Sequence, residues 1–133
     1  MPVTTATFLL LLPIYLLLSV AVIRRRRKTR VPLGFGNDAI LEKRVSAHSN
    51  FAQYAPLALI GILLCELRAL PEFLLGAAGL AICLGRLLHA YGLTRQTENF
   101  RFRVAGMFLS FLSLGISGFS LLLSFLGLKF LGL

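Results

Sequence analysis

Residues 42–65 read EKRVSAHSNFAQYAPLALIGILLC, and the reading of this stretch decides the fold. Its first half carries Glu42, Lys43, Arg44, His48, Asn50, Gln53 and Tyr54, while its second half is nearly pure hydrocarbon. A helix that passes from polar to apolar within one run suits a membrane span whose polar end leaves the bilayer. Ser46, Asn50 and Gln53 or Tyr54 recur at steps of three and four residues, so they share one helical face. Polar groups at bilayer depth are costly unless they meet partners or line a wet cavity, which makes this face a candidate site. Hydrogen bonding to neighbouring helices is the plainer reading of the same pattern.

Composition points the same way. The chain has 133 residues, 57% of them hydrophobic, and a mean hydropathy of +0.84. That is too apolar for a soluble domain of this size. The formal charge of +9, from 14 Lys and Arg against 5 Asp and Glu, would suggest nucleic acid in a soluble protein. Here the cations lie between long apolar runs, so the positive-inside rule accounts for them better. Trp is absent, as is the basic-aromatic interleaving of a single-strand binder, so no nucleic-acid partner is expected. Cys65 and Cys83 sit in apolar runs without CxxC spacing or a neighbouring His set, which argues against a disulfide or a metal site.

The expected architecture is all-α, a single four-span integral membrane domain over residues 1–133. Residues 3–23 carry no charge and are long enough to cross a bilayer of roughly 30 Å. No basic region precedes them and arginines follow, so they read as a retained span rather than a cleaved signal. Residues 24–30, RRRRKTR, place the first loop in the cytoplasm and the N-terminus outside. Pro32, Gly34 and Gly36 break the helix, and Asn37 or Asp38 can cap the next.

The second helix starts near residue 38 and runs to about 68, with residues 51–68 in the bilayer. At about 46 Å it projects beyond the hydrocarbon. Pro71 and Glu72 open a third span over 73–91, where Gly76, Gly79 and Gly85 permit close helix contact and Gly92 suggests a C-cap. The fourth span covers 104–128. Within it Gly106, Ser110, Ser113, Ser117, Ser120, Ser124 and Gly127 form a heptad seam of small residues. Such a seam lets backbones approach, with hydroxyls able to bond across; a polar pore lining is the sharper alternative. Both termini fall outside, and the apolar surface of so small a bundle favours self-association with lipid around it.

No Walker A, GxSxG, HExxH or paired carboxylate motif is present. The site ingredients are cations with Asn50, Tyr54, His48 and His89, a set suited to an anionic ligand or to stabilising a thiolate. RVSAHSNFAQYAPLAL, followed by GRLLHAYGL and RFRVAGM, resembles the MAPEG family of membrane proteins in eicosanoid and glutathione metabolism, its bacterial members most closely. The resemblance covers nearly the whole chain, with His48, Asn50, Tyr54 and Pro56 falling in register together.

It implies a homotrimer in a bacterial inner membrane, with glutathione as co-substrate bound between subunits and a lipophilic small molecule as second substrate. Asn50 and Tyr54 match positions that hold the tripeptide, and His48 an adjacent polar one. Gln53 falls at a further ligand-binding position. Arg26 and Arg27 are similar to arginines that reach the ligand from the first helix, and Arg86 and His89 match third-helix positions lining it. Arg103 resembles the catalytic arginine that stabilises the thiolate, with Arg101 as competitor. The implied activity is a glutathione transferase or peroxidase. Two departures stand out, Ser46 where the family commonly has Arg and Gln53 where it commonly has Glu. They favour an alternative, a non-catalytic scaffold or altered ligand binder on the same fold. A small efflux or channel protein, suggested by the serine seam, lacks an intramembrane carboxylate to couple protons.

Overall fold

A computed structural model describes residues 1–128 except Gln96 and Glu98. It consists of four helices, α1 (Pro2–Thr29), α2 (Ala39–Leu67), α3 (Glu72–Thr94) and α4 (Phe100–Phe125). Each is long and apolar enough to cross a bilayer. No strand occurs among the described residues. The expected C-terminus beyond residue 128 and two positions of the polar loop 93–99 lie outside the described residues.

The helix ends follow from local chemistry. Asp38 caps α2, its Oδ1 accepting from Ile40 N at 3.0 Å and Leu41 N at 3.1 Å. Asn99 caps α4 in the same way, accepting from Arg101 N at 3.1 Å and Phe102 N at 3.4 Å. In each, a short polar side chain satisfies amides that the helix leaves without partners. Asp38 also takes a two-pronged bond from Arg25, at 2.9 and 3.1 Å, joining the end of α1 to the start of α2. The Arg25 bond, aided by the capped amides, holds the Asp38 carboxyl below its usual range against the opposing effect of burial. A carboxyl depressed on folding stabilises above the ordinary carboxylate range, and that contribution is lost as pH falls through the folded value. At the opposite end Glu66 receives Val3 N and Thr4 N, both at 3.0 Å, tying the start of α1 to the end of α2.

α2 and α3 form the centre, each touching all three other helices, while α1 and α4 do not meet. The α3–α4 crossing is the closest. A Cβ on Gly106 would lie 2.6 Å from Gly85 O and from His89 N, so only glycine allows this approach. Gly79 has the same role against Thr7 of α1, but Gly76 meets nothing within 4 Å.

Several sequence expectations are corrected. Gly92 is not a C-cap, since α3 continues to Thr94; a Cβ there would meet Asn99 O at 2.9 Å. Gly106, Ser110, Ser113, Ser117 and Ser120 are buried as the seam predicts, whereas Gly127 falls beyond the helix. The hydroxyls of Ser110, Ser117 and Ser120 donate back to carbonyls of their own helix, four residues earlier, at 2.7–2.9 Å. An already satisfied hydroxyl packs as a small group, as Ser117 and Ser120 do, whereas Ser110 Oγ also accepts a bond across from α3 and Ser113 Oγ is buried with no partner among the described residues.

Candidate functional site

Asn50 and Tyr54 lie one turn apart on α2 and so point the same way. Facing them from α3 is Arg86, only 1% exposed and the largest fully buried side chain among the described residues. Its Nη1 donates to Asn50 Oδ1 at 2.5 Å, and its guanidinium carbon stands 5.2 Å from the centre of the Tyr54 ring. Nη2 donates to Ser110 Oγ of α4 and more distantly to Met107 Sδ at 3.6 Å. One guanidinium thus ties three helices together. All these partners are neutral, and Nε has none among the described residues. A buried cation is tolerable here because an amide oxygen, a hydroxyl and an aromatic face replace water.

Beside this cluster lies a groove of about 360 Å³, lined by His89, Arg103, Met107, Phe111 and three further apolar-walled positions of α4. Met107 and Phe111 join groove to cluster. Met107 touches Arg86, and Phe111 takes Tyr54 edge-on with ring centres 5.7 Å apart. His89 is buried and Arg103 half-buried. Chemically, the groove offers a cation and an imidazole beside apolar walls, with no acidic side chain in its lining among the described residues. It can hold an anionic group next to an apolar reactant.

The remaining sequence candidates lie elsewhere. His48, two residues before Asn50, faces α1. Its Nε2 is 3.0 Å from Ser19 Oγ, and its ring is 5.1 Å from that of Tyr15. Arg26 closes the first loop, donating to Val31 O at 3.2 Å and Gly34 O at 3.0 Å. Arg27, Arg101, Ser46 and Gln53 are exposed. Within one chain, then, Asn50, Tyr54, Arg86, His89 and Arg103 come together, and His48, Arg26, Arg27 and Gln53 do not. The parts of the cluster that sequence reading missed are Met107 and Ser110. A signal existed, because an arginine in a span requires acceptors and Ser110 lies in the seam facing α3.

A family model described as the MAPEG family matches residues 3–123. Inner membrane protein YecN of Escherichia coli strain K12 is 31% identical over 86 residues, covering 65% of this chain and 64% of the relative. Its counterpart from Escherichia coli O6:H1 matches to the same extent. The matched stretch therefore spans just under two thirds of these relatives' own length.

Proposed function

The chain belongs to the MAPEG family, and from that premise we propose that it is an inner-membrane enzyme conjugating glutathione to lipophilic electrophiles or using it to reduce lipid peroxides. The observation that carries this reading is the adjacency of the Arg103–His89 groove to the Arg86–Asn50–Tyr54 cluster. Arg103 stabilises the glutathione thiolate; the thiolate sulfur attacks the electrophile, which arrives from the bilayer along the apolar wall, and a carbon–sulfur bond forms as a leaving group departs or an activated double bond takes up the electron pair and a proton. With a lipid peroxide, two glutathiones supply the two electrons and leave as the disulfide, with the alcohol and water as the other products. Asn50, Tyr54, Arg86 and His89 bind or orient the tripeptide. His48, Arg26, Arg27 and Gln53, apart from this cluster within one chain, contribute where subunits meet in a homotrimer. The name of the YecN relative supports the inner-membrane assignment.

A second reading has its own observation. Asn50 Oδ1 is already taken by Arg86, and the exposed Ser46 and Gln53 bring no charge to a ligand. This favours a binder of another ligand, or a scaffold, on the same fold. Titrating the purified protein with glutathione while following thiolate absorbance separates the two. The enzyme reading expects a thiolate signal near neutral pH that Arg103→Leu abolishes and Arg101→Leu retains. A reversed pair transfers the role to Arg101, and no signal in the parent protein selects the second reading.

A further inference from the structure

A second groove, of about 460 Å³, runs between α1 and α3 and shares no lining residue with the groove of His89 and Arg103. Its walls are apolar, with the exposed Leu17 and Leu87 at the sides and the buried Leu18 at its floor. Its end is different in kind. Arg44 reaches across from α2 to line it, beside Tyr91 and Thr94. Arg44 Nη1 donates to Ala21 O at 3.0 Å, which fixes the guanidinium at the groove wall. Arg95 stands over the Tyr91 ring, 5.1 Å from its centre. On α1 the stripe through Ile14, Leu17 and Ala21 continues at the same helical steps to Arg24 and Lys28, so one face turns from hydrocarbon to cation. Among the described residues, no acidic one lines the groove.

We propose that this groove seats one anionic phospholipid of the leaflet at the basic end, an acyl chain along Leu17 and Leu87 and the phosphate against Arg44. Charge complementarity selects the occupant. A planar guanidinium held in place matches phosphate oxygens in a two-pronged geometry, and an aromatic ring at the membrane interface carries a second arginine toward the headgroup. The stretches from Ile14 to Ala21 and from Leu87 to Thr94 each span about 10 Å along the helix axis, the reach of the upper part of an acyl chain. A zwitterionic lipid would fill the floor equally well but bring a compensating cation to the basic rim.

The test uses the full-length protein in mixed micelles containing equal amounts of phosphatidylglycerol and phosphatidylcholine with identical chains. Lipid retained after purification is counted by native mass spectrometry. Phosphatidylglycerol should exceed phosphatidylcholine about fivefold, the scale of one cation at an anionic surface. Arg44→Gln removes the charge while keeping a donor for Ala21 O, and should bring the ratio near parity. Leu87→Trp changes no charge and, because Leu87 is half-exposed, disturbs no core; it should cut retention by obstructing the groove from its wall. Arg101→Leu removes an equal charge away from the groove and should leave the ratio unchanged. Parity in the parent protein overturns the proposal. So does a loss with Arg101→Leu equal to that with Arg44→Gln, or full retention in Leu87→Trp, since either marks unspecific attraction to a basic surface.

Discussion

Arg86 is the residue on which three helices depend, and its partners make its energetics unusual. It is a buried cation held by neutral acceptors, so the chain gains no ion pair to offset desolvation. Removing an acceptor should therefore cost more than removing the cation. Asn50→Leu strands the charge beside hydrocarbon and should lose about 2–3 kcal/mol, the scale of a bond to a charged group. Arg86→Met should lose less, and combining the two should recover part of the Asn50→Leu loss. Thermal unfolding of the four proteins in detergent measures this coupling; strict additivity would show that the Asn50–Arg86 bond contributes nothing. At this scale the sequence pointed to Asn50, Tyr54, Arg86, His89 and Arg103 through a motif. It did not show that Arg86 would be occupied from within its own chain. His48 illustrates the limit further, since two helical steps turn it away from Asn50 and toward Ser19.

Among the elements, α4 carries the sharpest contrast. Gly106 lies against α3 so closely that an added methyl group would meet two backbone atoms, while Gly118 on the same helix has nothing within 4 Å. Gly106→Ala should destabilise by at least about 1 kcal/mol through overpacking. Gly118→Ala should be neutral or stabilise by up to about 1 kcal/mol through helix propensity. Melting temperatures of the two variants should move apart; a matched fall would mean that Gly118 is covered by another subunit rather than by lipid. The spans and the cap at Asp38 were readable because they depend on local quantities, namely the length of uncharged runs and a short polar residue ahead of the helix; the cap at Asn99 came only from the structure. The failed expectation at Gly92 was not local. Its glycine is required by the return of Asn99 and Phe102 against α3, which a C-cap rule does not anticipate.

For the whole molecule, the arginines of 24–30, Arg44, Arg95, Arg101 and Arg103 all gather at one end of the bundle, where α1 and α3 end and α2 and α4 begin. The charge bias predicts that this end faces the cytoplasm and that both termini face away from it. Reporter fusions at the two termini should both be active outside; a cytoplasmic signal from either would invert the orientation and move the lipid groove and the proposed glutathione site to the other leaflet.

Sequence alone determined that the chain has four apolar helices, that a short polar residue at 37 or 38 caps the second, and which ends are basic. These follow from hydrocarbon length against bilayer thickness and from backbone amides that need partners. Which face of each helix meets which neighbour was decided only by the tertiary structure. In a bilayer, lipid is as apolar as a protein core, so leucines occur on every side: Leu9, Leu16 and Leu17 of α1 face outward as readily as Leu11 and Leu18 face in. With no polar face to mark the outside, the pairing of Gly85 with Gly106, the cradle of Arg86 and the separation of the two grooves arise from close packing between segments distant in the chain.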